Sequence, residues 1–544
     1  MAPKAYFTAI LSDGWSMKQF FIRILLAGTT LSAVANPARA QEDPRLAAIE
    51  AQIRALQAEL GKVRRDLNAS NTELRAARQA RARPAEPAGG STPPQGGTQQ
   101  ASTPGASANL SGATSNVAPA STSATGAPGP GTVSFPMGRP TLTSSDGRAS
   151  VAVGLQLHYD IGGYFQGGRR PDTRLAPRLN TFGENLRRAR IPFVFKYEDF
   201  TVNVTPDFGG SPDGSPTLYE ANINYSPIKP LTLTAGYFKP WLTLQDSMSS
   251  NDFLFLERPS IVEASRVIAG GDARSSVGAR WVNNRYFLAA YLTGGSYNSQ
   301  NPALAQPQQT GATLRVAGRP VATDDLDLHV GFSGSDAFRI QRTGTGQTLA
   351  VQERPELRID TNRLVSTGAL NARSAYTYGP ELALRWRNFM LQGEYIRIGV
   401  DRTDGGAAVR TPGLEFSGGY AEASWVITGE PRRYSSNGAA FGSPHPKRPF
   451  SLRTGGYGAF EAVARYSHID LNDRVTRGRS ATSTGGVYGG SQDVYAVGLN
   501  WYPNDQLRFM LDYDIINVDR LNAAGTTQVG QRIQAVALRA QAAF

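Results

Sequence analysis

From Arg148 to Phe544 the chain runs in short stretches whose apolar and polar side chains alternate, bounded by clusters of Gly, Asn, Asp and Pro. A period of two sends successive side chains to opposite faces of an extended strand, so this region folds as sheet and not as a helical bundle. In Ile191 to Glu198, one face carries Ile191, Phe193, Phe195 and Tyr197, and the other Val194, Lys196 and Glu198. Leu507, Phe509, Leu511 and Tyr513 oppose Arg508, Asp512 and Asp514, and Phe460, Ala462, Ala464 and Tyr466 oppose Glu461, Arg465 and Ser467. Alternation alone fits a soluble sandwich with its polar face outward as well as a membrane barrel with its apolar face outward.

Three features decide between them. Lys18 and Arg23 precede an apolar run from Ile24 to Val34, and Ala38-Arg39-Ala40 follows, the arrangement of an export signal cleaved at about Ala40. Met17 reads as the true start. The run is about half the ~20 residues that a helical span requires. An exported chain with no longer apolar run is soluble, lipid-anchored or a β-barrel, and the absence of cysteine removes the lipid anchor. Second, Tyr197, Tyr225, Tyr395, Tyr466, Trp501 and Tyr513 stand where apolar runs meet turn residues, as an interfacial aromatic girdle requires. Third, Val536, Leu538, Ala540, Ala542 and Phe544 alternate against Arg539 and Gln541, and a last amphipathic strand ending in an aromatic is similar to the assembly signal of bacterial outer-membrane proteins. The expectation for residues 145–544 is an all-β, antiparallel transmembrane barrel of about 16 strands, wide enough for an aqueous channel; 18 strands also fit.

With no Cys and four scattered His among 544 residues, no disulfide framework, thiolate nucleophile, cofactor or metal site is expected. None of His158, His329, His445 and His468 sits in a hydrolase motif, which argues against a barrel enzyme. Net charge is +12 and splits evenly at residue 140, too mild a balance for nucleic-acid binding. Between the signal (residues 1–40) and the barrel lie two further segments. In 41–83, Leu46, Ile49, Ile53, Leu56, Leu60, Val63, Leu67 and Leu74 alternate steps of three and four, with Ser70 in the one polar slot. That is a heptad seam, read as a short periplasmic α-helical coiled coil whose leucines at a and β-branched residues at d lean toward a trimer. Residues 84–144 are Ala, Gly, Pro, Ser, Thr and Gln, with no charge between Glu86 and Arg139, and read as a disordered linker.

Several stretches, weak singly and specific in order, resemble one family along residues 145 to 544. They are Leu186-Arg187-Arg188-Ala189-Arg190, Tyr237-Phe238-Lys239-Pro240, Ser249-Ser250-Asn251-Asp252 before Leu256-Glu257-Arg258, Thr428-Gly429-Glu430-Pro431-Arg432-Arg433-Tyr434, Lys447-Arg448-Pro449-Phe450, Gly458-Ala459-Phe460-Glu461, Ala464-Arg465-Tyr466-Ser467, and Gly498-Leu499-Asn500-Trp501-Tyr502-Pro503-Asn504. Together they resemble the phosphate-selective porin O and P family. The resemblance implies a trimeric outer-membrane channel of 16 strands with a basic lumen, and a coiled coil before the barrel. It implies that the paired arginine facing the constriction falls on Arg187 and Arg188. Selective members add an arginine in the first strand, an acid at the second hairpin and lysines in the constriction loop, where this chain has Gly154, Tyr219, and Asp246 with Asn251.

A wide pore selects by its inward charge, and the planar fork of arginine suits phosphate. The candidates for the pore lining and for anion binding are Arg187, Arg188, Arg190, Lys196, Arg465, Arg508 and Arg539, with Glu198, Glu461, Asp512 and Asp514 on the same faces. Alternation turns Arg188 and Arg190 inward and leaves Arg187 to a bulge or a strand end. Either Gly270–Ser276 or Asn298–Thr313 folds inward as the constriction. The expected partners are outer-membrane lipid, two like copies in a homotrimer, small anions such as phosphate, and peptidoglycan through the N-terminal segment. The expectation is an outer-membrane porin passing small hydrophilic solutes by diffusion, biased to anions; the alternatives are a general porin and a barrel-anchored tether to the cell wall.

Overall fold

The computed structural model describes residues 131–166, 178–210, 216–296, 308–343, 346–403 and 411–544. The export signal, the coiled coil of 41–83 and most of the linker lie outside the described residues. Among those described, sixteen antiparallel strands close into a barrel. They are β1 (Ala149–Val153, continued as Gln156–Phe165), β2 (Gly183–Arg190, continued as Phe193–Tyr197), β3 (Phe200–Asp207), β4 (Thr217–Ile228), β5 (Leu231–Phe238), β6 (Arg274–Val282), β7 (Tyr286–Ser296), β8 (Thr310–Ala322), β9 (Leu326–Arg339), β10 (Leu370–Trp386), β11 (Phe389–Arg402), β12 (Leu414–Val426), β13 (Ala459–Asp473), β14 (Val487–Tyr502), β15 (Leu507–Asp519) and β16 (Arg532–Ala543). The seam closes where β16 pairs with β1 from Gln534↔Phe165 to Ala543↔Gln156. Closure leaves no edge with unpaired backbone groups, the condition for a sheet in hydrocarbon.

The expected alternation holds along the wall. Leu499, Leu511 and Leu538 lie exposed on the outer surface, whereas Arg508, Asp512, Asp514 and Arg539 are buried on the inner one. Two-residue turns at 198–199, 229–230 and 387–388 join strands at one end and long segments join them at the other, so the tight-turn end is periplasmic. Near that end Trp386, Phe389 and Trp425 form one aromatic row, and Phe460, Trp501 and Phe509 a second, with ring centroids 5.5–6.2 Å apart. No described helix is long and apolar enough to cross a membrane, which says nothing about strands.

The lower end of β1 departs from the seam at Gly154. There Leu155 and Phe544 exchange both backbone hydrogen bonds at 3.0 Å, and Ala149–Val153 pairs instead with Phe193–Tyr197. On its other edge lies a hairpin of Thr132–Ser134 and Thr141–Thr143. Residues 131–144, read as linker, are thus partly ordered: the short Thr- and Val-bearing runs complete a free edge, which a composition average over 84–144 conceals.

Three segments fold into the lumen. Residues 239–273, between β5 and β6, carry helices α1 (Leu244–Ser247), whose first turn the Thr243 hydroxyl caps by accepting from Asp246 N at 3.1 Å, and α2 (Ser260–Ser265). Gly270 belongs to this segment. Residues 340–369 enter between β9 and β10. From the periplasmic end, residues 427–458 send in a hairpin of Arg432–Ser435 and Ala440–Pro444. Of the two expected constriction loops, the first proves to be the tail of a longer one; 297–307 lie outside the described residues. The other two inward segments were not expected, because Gly, Pro and Ser mark an inward loop and a solvent loop alike.

Their interior is a core inside the barrel. Ile261, Val262 and Ile268 pack without exposure against Ile396, Ile398, Phe416, Ile469 and Ile516 of the wall. Leu244, Met248 and Phe253–Phe255 meet Phe441 of the hairpin, Val463 and Ala496. Full burial of an Ile or Phe side chain stabilises by about 1.5–3 kcal/mol, so these segments are held as firmly as a soluble core.

Candidate functional site

What the inward segments leave open is a cavity of about 1440 Å³ that runs from 350–363 at the extracellular end to 504–508 and Phe544 at the periplasmic end. One wall is built by β1 to β5 and the first turns of β15, the other by 239–273 and the inward hairpin. Eleven Arg and Lys side chains line it, against seven Asp and Glu. The excess is positive, and its distribution follows from how each cation is held.

Arg187 and Arg188 both face the cavity because β2 bulges between them. His158 of β1 pairs with Arg188 and Tyr159 with Leu186, so Arg187 has no partner across the ladder and two successive side chains share one face. Arg187 is clamped by Glu257, donating Nη2 to Oε2 at 3.1 Å and Nε to Oε1. Arg188 has no carboxylate partner: its Nη1 donates to His158 Nδ1 at 3.0 Å, and its buried Nε finds no acceptor. His158 Nε2 in turn donates to Asn251 Oδ1 at 2.9 Å, which assigns one neutral tautomer consistently along the chain of three. Arg190 pairs with Asp207 at 2.7 Å, donates to Gln156 at 3.1 Å and stacks 3.5 Å above the Tyr219 ring. Arg508 donates only to the carbonyls of Asn251 and Leu254.

Three candidates stand elsewhere. Arg539 forks onto Asp160 at 2.6 and 2.7 Å and reaches Glu257 at 3.1 Å. Arg465 binds Glu356, Glu422 and the carbonyl of Glu257. Both face inward, as their strand parity requires, but neither lines the cavity; they tie the inward segments to the wall. Lys196 is exposed near the end of β2, opposite Ser150 and Thr201, and is not among the lining residues.

Further buried charges stand behind these cations. Glu257 is buried, which alone would raise its carboxyl; Arg187, Arg188, Arg358 and Arg539 hold it well below the usual carboxylate range. Glu263 is held low in the same way, by Arg266, Arg358 and Arg258. Asp246 lies 2.8 Å from Arg266, a charge contact without hydrogen-bond alignment, and 3.8 Å from Lys239. Glu353 differs. Burial, with Glu263 adding to it, pushes its carboxyl up to about 7 against the pull of Arg358, Arg363 and the Arg354 N–H.

Seven lining cations went unrecognised in the sequence; Lys239, Arg258, Arg266, Arg358 and Arg363 are paired to acids, and the other two are Arg139 and Arg433. Neither guanidinium has a carboxylate partner among the described residues. Arg139 comes from the hairpin ahead of the barrel and occupies the space beside Gly154, where a Cβ would lie 2.9 Å from its Nη2. Only the missing side chain at Gly154 would have signalled room for it.

Residues 151–544 match the family described as phosphate-selective porin O and P. An uncharacterised protein of Caulobacter vibrioides is 28% identical over 315 residues, 56% of this chain, and the match spans 57% of that relative's length. Porin O of Pseudomonas aeruginosa is 24% identical over 345 residues, 60% of this chain and 74% of that protein. The outer-membrane channel DcaP of Acinetobacter baumannii is 9% identical, with 73% of this chain and 97% of that one covered at a TM-score of 0.44.

Proposed function

The chain belongs to the phosphate-selective porin O and P family, a barrel of the Gram-negative outer membrane rather than an enzyme, and we propose that it passes small hydrophilic solutes by diffusion with a preference for anions. The observation that carries the preference is the pair Arg188 and Arg508. Each presents a guanidinium to the narrowed passage with no carboxylate against it. Such a group attracts an anion without first breaking an ion pair, and in a confined, partly desolvated passage its field is weakly screened. Phosphate fits the same forks, but Arg187 and Arg190 are already bridged by acids, so its binding is weak.

The reading extends to residues outside those described. The coiled coil of 41–83 joins three copies in the periplasm, and the linker gives it reach toward peptidoglycan. The test of the channel function is the reversal potential of the purified protein in a planar bilayer under a potassium chloride gradient, repeated with phosphate. Anion preference with shallow phosphate block is expected. Cation preference would reject the reading, and absence of channels would leave the tether.

A further inference from the structure

After the inward hairpin, residues 447–458 leave the lumen and fold against the outside of the barrel at the periplasmic rim. Ser451 N donates to Gly456 O at 3.0 Å, closing a tight turn, and Gly458 N donates to Arg448 O at 2.9 Å. Phe450 N donates to Pro503 O at 2.7 Å, and Trp501 Nε1 to Tyr457 O at 2.9 Å. The Phe450 ring stands edge-on to Trp501, centroids 5.3 Å apart, in the lipid-facing row of Phe460, Trp501 and Phe509. At the tip Leu452 is 91% exposed, the most exposed large apolar side chain among the described residues.

Charge accompanies this apolar tip. From Pro431 to Phe460 there is no Asp or Glu, and the guanidinium groups of Arg448 and Arg453, on either side of Leu452, have no hydrogen-bond or ion-pair partner among the described residues. Neither arginine lines the passage. A lone exposed leucine is unremarked on a soluble surface, but this one continues an outward-facing aromatic row at the periplasmic rim. A turn with a leucine at its apex and two free guanidinium groups beside it matches a bilayer interface: the side chain enters the acyl boundary while the arginines stay at phosphate depth.

We propose that the turn 447–458 is a binding site for the phosphate groups of anionic phospholipid in the periplasmic leaflet, with Leu452 as its apolar anchor and Arg448 and Arg453 as its phosphate ligands. The fork of arginine donates two parallel hydrogen bonds to the oxygens of a phosphodiester. The site lies outside the pore and stands whether or not the channel prefers anions.

Because the chain has no cysteine, Leu452→Cys creates a single labelling site in the full-length protein. The variant, carrying a polarity-sensitive fluorophore, is reconstituted in vesicles of phosphatidylcholine with phosphatidylglycerol. The label's emission is expected to shift to the blue. Nitroxide-bearing phosphatidylglycerol should quench it more than nitroxide-bearing phosphatidylcholine, by about fivefold for each arginine engaged. Arg448→Gln with Arg453→Gln should bring the two quenchers level while the blue shift persists. Emission as in water in every vesicle overturns the proposal, as does equal quenching in the parent or an unchanged preference in the double variant.

Discussion

Among the cations of the lumen, those already bridged to acids differ in consequence from those that are not. Arg188 lies near enough to a passing ion that one unit charge, about 1–4 kcal/mol at 4 Å, sets the preference. Arg188→Ala is therefore expected to lower the anion-to-cation permeability ratio by at least about fivefold, read as a shift in reversal potential. Arg139 is half-buried at the mouth and has no carboxylate partner among the described residues, so Arg139→Gln should act mainly in dilute salt and lose most of its effect in about 1 M salt, where the Debye length falls to about 3 Å. Strand parity turned Arg188, Arg190, Arg465, Arg508 and Arg539 inward but missed the exposure of Lys196, and it left Arg187 to a bulge or a strand end, where the bulge sets it on the same face as Arg188. What parity does not contain is the partner. Glu257 is 70 residues from Arg187 and Glu356 is 109 from Arg465, so only the folded chain says which arginine is neutralised.

At the level of elements, the passage is a remainder: it is the part of the lumen that three inward segments do not fill. The hairpin of 432–444 is fastened by Arg432, which forks onto Glu461 at 2.6 and 2.9 Å and holds the Asp252 carbonyl at 3.0 Å. Replacing Arg433–Ser443 by a short Gly-Ser turn keeps Arg432 and removes the hairpin; single-channel conductance should rise and ion preference should weaken, both in planar bilayers. The strands themselves were legible because a one-residue slip would reverse every side chain, so the pattern admits one reading. The inward segments were not, since their core partners are wall residues such as Ile396 and Ile469 whose apolar character also suits lipid.

For the whole molecule, pH and assembly are linked to the same segments. A carboxyl raised on folding stabilises the fold below its ordinary 4.5 and loses that contribution as pH rises through its folded value, here about 7 for Glu353. After correction for the base-catalysed intrinsic rate, hydrogen-exchange protection across residues 346–366 should therefore be greater at about pH 5.5 than at about pH 8, and Glu353→Gln should flatten the difference. Deleting residues 41–83 should lower the temperature at which trimers dissociate on semi-native gels, while the barrel remains folded; unchanged dissociation would make the coil a tether alone.

The contacts of Arg539 also couple the seam of the barrel to the segment folded inside it. This residue belongs to β16, the strand that completes the seam, yet its guanidinium grips Glu257 and the Leu256 carbonyl, while on β15 Asp512 accepts from Leu256 N at 2.7 Å. Without residues 239–273 in the lumen, Asp512 would lose the Leu256 N–H and Arg539 would lose Glu257 as a partner. Closing strand and inward segment are therefore held by one set of contacts, and whatever loosens one loosens the other.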